Sequence, residues 1–568
     1  MKRKMKTSYI TKVVIFFVLG AVALACSDSF IETKPIATAT EESFYTTMAA
    51  AEMATTACYS AFNIEKVWDL SILMTLGSIA SDEAEAGAGG KTDVIEFQHV
   101  DQLRHTPQEA NVFEWTWGYL FRAIGYCNVA LEKIPGITVE MDASYDEALL
   151  TKRLGEIHFV RAINYFTLTQ MYGGVPKVDH VLGPSEYNTP RSSIAEIYTL
   201  IKSDLKQAIA VLPEKSEYSA SDIGRATKGA ARALLAKVYL YESSYAKYYS
   251  GDSRFEGLTE RWDSAAYWAE QVITSNQYEL VGINGERFDT WKGANTTGYQ
   301  YIFMKDANNS PEGVFEIQNV QDGRGSYNTR GEGLIRWCAP RKVNLLVNNT
   351  ADGYDYGWGW WCPTDFLVNS YEEGDPRYKA TVIEETDSLL IYVSADGAGV
   401  AKRTPNYSIL RDGTGLHRNS HKYECSYEEF WQSSQTWGDG PIDLKIIRYA
   451  DVVLFAAEAN FEAGNQSKAL EYINMVRKRA RMSGNTGKPE DLTSLTHDDI
   501  VHERLVELAM EGHRFFDLVR WNLADKYLNH TLADGDQITF VPGKHEFYPI
   551  PDSEITLSKG SLEQNPGW

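Results

Sequence analysis

The sequence predicts a mainly α-helical protein: a scaffold of helical hairpins of the tetratricopeptide kind that carries a large loop-rich, aromatic region. Three observations predict it. Apolar residues recur at spacings of three and four in two blocks, about 41–275 and 444–521. Small residues such as Ala233, Ala236, Ala265 and Ala269 sit within those helices, where they let antiparallel neighbours approach closely. Between about 276 and 440, Gly, Asn, Asp, Tyr and Trp dominate and the helical period fades, as in a functional loop region. The 568 residues suffice for a large core. They divide into an export signal over 1–25, a tether over 26–40 and a single domain over 41–568, whose tail from 540 is extended and punctuated by proline.

The N-terminus reads as an address. Lys2, Arg3, Lys4, Lys6 and Lys12 precede and enter an apolar stretch over 13–25 that is too short for a comfortable membrane span. Small residues then lead to Cys26, whose sulfur is the candidate lipidation site and whose acyl chains would anchor the body to a membrane. The match is incomplete, because Ala23 and Leu24 stand where bacterial lipoproteins more often carry Leu and then Ala or Ser. An ordinary cleaved signal or a short anchor helix is the alternative.

Thr40-Glu41-Glu42-Ser43 opens a helical stretch that runs to about Phe62, and a second apolar run covers 70–79. Residues 84–92 are rich in Gly and Ala and predict a loop. Residues 113–134 are helical and stop at Pro135-Gly136. One long helix spans 146–172 and closes on Gly173-Gly174-Val175-Pro176. Ile194, Ile197, Ile201, Leu205, Ile209 and Leu212 mark the next, which Pro213 ends; helices over 227–245 and 264–275 follow. After the loop region, helix resumes at Leu444, with Ile447, Ala450, Leu454, Ala457 and Phe461 on one face. Gly464-Asn465 turns the chain into a return helix carrying Ala469, Ile473, Val476 and Ala480. Residues 497–521 read as a last long helix. Its Glu503, Arg504, Glu507, Glu511, Arg514, Asp517 and Arg520 have the spacing of a salt-bridged, structural helix face.

Composition excludes several function classes. The net charge of −22 becomes about −27 without residues 1–25, which hold five positive charges and no acid. With no Lys/Arg cluster beyond the N-terminus, nucleic acid is excluded as a partner. The five cysteines after Cys26 (Cys58, Cys127, Cys338, Cys362 and Cys425) are odd in number and follow no zinc or framework spacing. Cys338 and Cys362 are the pair that a disulfide could join, though nothing requires it. His502-Glu503 is followed by Val506 where a zinc-protease helix needs His, and Gly90-Lys91-Thr92 has Glu85 where a phosphate loop needs Gly. No Gly-x-Ser-x-Gly elbow stands out, so no enzyme is expected. No cofactor is expected either; Ca²⁺ stays an open alternative, since the acids for it are present but no calcium-loop spacing is.

Five stretches, in order, resemble the SusD/RagB family. Gly155-Glu156-Ile157-His158-Phe159-Val160-Arg161-Ala162, with Tyr165-Phe166 and Tyr172-Gly173-Gly174-Val175-Pro176, is similar to the "GEA-x-FLRA-x-YYF … YGGVP" signature. Gly224-Arg225-Ala226-Thr227-Lys228-Gly229-Ala230-Ala231 with residues 234–241 is the second. Cys362-Pro363-Thr364 with Asp375-Pro376-Arg377 is the third, and Glu503-Arg504 through Glu511-Gly512-His513-Arg514-Phe515-Phe516-Asp517-Leu518-Val519-Arg520-Trp521 the fourth. Pro549-Ile550-Pro551 and the ending Gln564-Asn565-Pro566-Gly567-Trp568 are the fifth. The resemblance implies a SusD-like fold on the outer-membrane surface. It implies a SusC-like TonB-dependent transporter as partner, met mainly by the helix pairs, and an oligosaccharide or peptide ligand held by the loop-rich part.

Within that region, Tyr354, Tyr356, Trp358, Trp360 and Trp361 lie within eight residues, and Trp337 is nearby. Aromatic faces stack on the C–H faces of sugar rings, and Gly353, Gly357 and Gly359 would let the backbone bend around a ligand. Loop core is the competing role for these rings. The resemblance also places polar ligand contacts near Asp82, Glu83 and Arg104, which could equally form a solvated acidic loop. The expected function is therefore glycan capture and delivery to the transporter. A peptide ligand is the first alternative and a surface glycoside hydrolase using Asp82 or Glu83 the second.

Overall fold

The computed structural model describes residues 44–321, 331–340, 343–347, 350–354, 357–384, 387, 389–393, 399–403, 416, 418–423 and 440–568. Cys26, Tyr356 and Cys425 lie outside them, and for Tyr354 only the backbone is described.

Helix α1 (Met48–Ser60) is followed by a π-helical segment, Val67–Ile79, that is buried along its whole length. Strand β1 (Ala84–Gly87) comes next, then α2 (Trp115–Lys133), α3 (Glu147–Tyr172), α4 (Ile194–Val211), α5 (Lys228–Tyr248) and α6 (Trp262–Ile273). Local chemistry starts each helix where the sequence asks for it. The Asp146 carboxylate accepts the Leu149 amide at 3.0 Å, Ser193 and Glu196 form a reciprocal capping box, and Thr227 accepts from Ala230. Each such cap is worth about 1 kcal/mol.

The two helical blocks form one stack. Helix α2 packs on α3, α3 on α4, α4 on α5 and α5 on α6. Helix α6 then packs on α7 (Tyr449–Glu462), which pairs with α8 (Gln466–Met482). The intervening region leaves the stack after α6 and re-enters it through β2 (Gly313–Ile317), β3 (Trp360–Pro363) and β4 (Leu444–Arg448). Strand β4 pairs antiparallel with β2, and β3 with β1.

Four expectations change. Residues 84–87 form a strand, because the small Ala84, Ala86 and Gly87 fit fully buried against β3. Leu444 and Ile447 belong to a strand rather than to the helix after it, because they pair across the ladder with Ile317 and Phe315 of β2. The last long helix is broken into α9 (His497–Leu508) and α10 (Arg514–Arg520). At the break Met510 and Gly512 take φ of 61° and 75°. A Cβ at Gly512 would stand 2.7 Å from the Leu73 Cα, so glycine is required there. In the tail, α11 (Asp552–Leu557) adds a helical turn and a half.

The charges on α9 and α10 are structural, but apart from the Arg520–Asp517 pair their partners are not on their own helix, and they do not face water. Arg377 meets Asp375, Glu503 and Glu507; Arg448 meets Glu312, Glu507 and Glu511; Arg504 bridges Asp451 and Asp517; Arg520 holds Asp517 and Glu458. All are buried. Against burial, which alone would raise it, Arg448 and Lys422 hold the Glu511 carboxyl down to about 2. Removing one member leaves a buried, uncompensated charge, at a cost of about 3–5 kcal/mol. The network therefore fixes how the break after α9 docks on β4 and on the loop region.

Candidate functional site

The β1–β3 ladder carries the surface of interest. It pairs Ala84 with Pro363, Glu85 with Cys362 and Gly87 with Trp360. Beyond the Gly87 end, the Ala88 amide donates to the Gly359 carbonyl at 2.7 Å. There the chain turns sharply. Gly359 has φ 72°, and a Cβ on Gly357 would lie 2.2 Å from the Ala339 carbonyl oxygen, so both positions need glycine. This close approach sets Trp358 over residues 336–340, with its amide donating to the Arg336 carbonyl at 2.9 Å.

Of the tryptophans predicted to bind, Trp358 alone is partly exposed. Its ring meets Trp337 edge-on, with centroids 5.0 Å apart at 74°, and the Arg336 guanidinium lies 5.2 Å from its centroid. Trp337 is 7% exposed and backs this platform, resting on Phe97 at 5.7 Å and Trp360 at 5.4 Å. The result is one outward ring on a rigid aromatic support, with cationic donors beside it.

Trp360 and Trp361 are core residues, at 1% and 0% exposure. Neighbours on a regular strand point to opposite faces. Here Trp361 takes φ 65°, which breaks that alternation, and both rings turn inward. Trp361 stacks on Tyr423 at 5.5 Å and 17°, and Trp360 packs edge-on to Phe97.

Asp82 and Glu83 are also buried, at 3% and 1%. Asp82 forms a two-pronged ion pair with Arg514, at 2.7 and 2.6 Å, which ties the start of β1 to α10. Burial pushes the Glu83 carboxyl up to about 7, with hydrogen bonds from Ser78 and Met510 only partly offsetting it. Neither acid presents a solvated carboxylate to a ligand. Arg104 is exposed; its Nη1 donates to Gln102 at 3.4 Å, and its charge reaches Asp536.

Sequence reasoning missed the contribution of the 527–536 segment. The Glu85 carboxylate accepts the Ala533 amide at 2.9 Å, and Lys91 pairs with Asp534 and Asp536 at 2.9 and 2.8 Å. At the Ala84 end of the ladder this segment closes a 210 Å³ cavity whose walls include Asp82, Glu85, Asp365, Phe366, Tyr527 and His530. Phe366 is 40% exposed and meets Tyr527 edge-on at 5.8 Å. No motif signals this partnership, which only the tertiary fold creates.

The cysteines Cys58, Cys127, Cys338 and Cys362 are buried thiols, so the Cys338–Cys362 disulfide is absent. Among the described residues, no three His, Cys, Asp or Glu side chains converge as a metal site, and no helix is long and apolar enough to cross a membrane.

Comparison with known proteins agrees along nearly the whole chain. The SusD family matches residues 311–568, and a SusD-like family described as "Starch-binding associating with outer membrane" matches residues 51–240. The SusD-like protein P2 of Formosa agariphila is 24% identical, covering 98% of this chain and 99% of its own. The starch-binding protein SusD of Bacteroides thetaiotaomicron is 24% identical over 80% of this chain and 78% of its own. Among solved structures, surface glycan-binding protein A from Bacteroides fluxus superposes with a TM-score of 0.72 at 22% identity, covering 92% of this chain and 100% of that one. A laminarin-binding SusD-like protein gives a TM-score of 0.70 at 24% identity, with the same coverage. The helical stack, the ordered motifs and these matches together place the chain in the SusD/RagB family.

Proposed function

We propose that the protein captures an oligosaccharide at the outer-membrane surface, without turnover, and delivers it to a SusC-like TonB-dependent transporter while a lipid on Cys26 holds it in place. The observation that carries this reading is the Trp358 platform: a partly exposed indole, backed edge-on by Trp337 and flanked by the Arg336 guanidinium. A sugar ring stacks on such a face, while a guanidinium donates to its hydroxyls. Arg104 and the aromatic residues Tyr354 and Tyr356 join the same binding region in this proposal, and no metal or cofactor takes part.

Relatives support the ligand class. One is named a starch-binding protein, another a laminarin-binding protein, and a further structure, surface glycan-binding protein A from Bacteroides thetaiotaomicron, holds laminarihexaose. Binding energy here is spent on retention. Asp82 and Glu83, the acids a hydrolase reading would use, are buried, and Asp82 is paired with Arg514. The test is a calorimetric screen of residues 27–568 against oligosaccharides and peptides, with product analysis alongside. Glycan binding without cleavage, weakened at least about tenfold in Trp358→Ala, supports the proposal. Cleavage, or binding of peptides alone, overturns it.

A further inference from the structure

A second cavity of 450 Å³, within the range of ligand sites, opens between α2, the loop after α3 and α11. It shares no residue with the Trp358 platform or with the Asp365–Tyr527 cavity. Its floor is Trp117 and Phe121, whose rings lie 4.9 Å apart, and its rim carries Tyr187 and Leu557 at 67% and 69% exposure. Large apolar side chains that exposed, beside a concave aromatic floor, mark a surface built to be covered.

The polar lining is rich in acceptors. Asn188 offers an amide, the Thr189 and Ser561 hydroxyls, which donate to the Glu186 and Ser558 carbonyls, offer acceptor oxygens, and Glu554 supplies a carboxylate that the Trp117 indole bonds. No Lys, Arg or His lines the cavity. Aromatic faces with neutral amides and hydroxyls suit the alternating C–H faces and hydroxyl edges of a sugar. Without a cation, the groove has nothing to neutralise a uronate or a sulfate.

Gly118 shows how much room the groove has. It sits in the interior of α2 and lines the groove, where glycine costs a helix stability relative to alanine. Its φ is not in the left-handed region, and a Cβ there would meet nothing within 4 Å. Gly125 of the same helix, outside the groove, has the same open space, so Gly118 bears only on room in the groove, which a side chain there would enter.

We propose that this groove is a second carbohydrate-binding site, specific for a short neutral oligosaccharide. The ligand class rests on the glycan-capture reading above; the location does not. The experiment is native mass spectrometry of residues 27–568 with four neutral hexaoses: laminarihexaose, maltohexaose, mannohexaose and xylohexaose. A galacturonic acid hexamer serves as the charged control. The expected result is two bound copies of one neutral hexaose, one in Gly118→Leu, one in Tyr187→Ala, one in Trp358→Ala and none in a Gly118→Leu/Trp358→Ala pair. The charged hexamer leaves the groove empty. Thermal unfolding of the Gly118 and Tyr187 variants matches the wild type, since one adds a good helix former in open space and the other trims an exposed ring. A single bound copy that both groove variants retain overturns the second site and leaves the Trp358 reading standing. A single copy lost only in the groove variants upholds the groove and overturns the Trp358 platform. No binding of any neutral hexaose overturns both.

Discussion

Replacing Asp82 with alanine separates a fold role from a ligand role at the position most easily mistaken for a sugar contact. Its carboxylate meets Arg514 Nε and Nη2 at 2.7 and 2.6 Å, and both side chains are nearly solvent-free. Arg514 lies over the rings of Tyr527 and Phe366, at 5.0 and 5.7 Å. Truncating one partner leaves a buried guanidinium uncompensated, which costs about 3–5 kcal/mol. Unfolding entropy near 2 cal/mol/K per residue, over roughly 525 residues, converts 4 kcal/mol into a drop in Tm of about 4 °C. Scanning calorimetry and urea titration read this directly, and calorimetric titration of the folded variant reads ligand affinity. The double variant Asp82→Leu/Arg514→Met removes both charges and should regain most of the loss. An Asp82→Ala protein that unfolds like the wild type yet no longer binds glycan would refute the reasoning and return Asp82 to the ligand site.

The other predictions concern the aromatic ladder and the buried titrating groups. Trp360→Ala empties a fully buried site and should cost about 3–5 kcal/mol, whereas Trp358→Ala should cost roughly 1 kcal/mol and act on affinity; urea midpoints of the two separate them. Glu83 binds its proton more tightly in the fold than at its ordinary value of 4.5, so its contribution is full below pH 4.5 and lost as pH rises through 7, by about 3 kcal/mol. Glu83→Gln should flatten that loss in stability curves taken from pH 5 to 8. His513 and His545 are held down to about 4, chiefly by burial, so they stabilise the neutral-pH fold. That contribution is full above pH 6.5 and lost as pH falls toward 4, by about 3 kcal/mol each, and His545→Gln should make acid unfolding shallower.

The helical scaffold was legible because its signals are local. Ile194, Ile197, Ile201 and Leu205 form one buried stripe, and the caps at Asp146, Ser193 and Thr227 stand where the sequence sets them. Periodicity fades across 276–440 and could not show that α6 and α7 stack directly. What failed were features decided by tertiary contact. Gly and Ala at 84–92 signal a turn in isolation, but β3 makes a strand of the first four. The Trp358, Trp360 and Trp361 side chains look alike in sequence, and the positive φ at Trp361 decides which of them face inward. The acids and arginines of α9 and α10 have helix-face spacing, yet most of their partners come from β4, α7, α8 and residues near 82 and 377. In the site itself, the sequence pointed to Trp358 and its support Trp337 but gave no sign of Tyr527 and His530.

Calorimetric titration of residues 27–568 with a neutral oligosaccharide panel, wild type beside Trp358→Ala and with the mixture analysed for cleavage, tests the central claim most directly. The account predicts saturable binding of intact glycan by the wild type, and affinity at least about tenfold lower at the platform in a variant that stays folded. Unchanged affinity in that variant, or release of shortened products by the wild type, contradicts it.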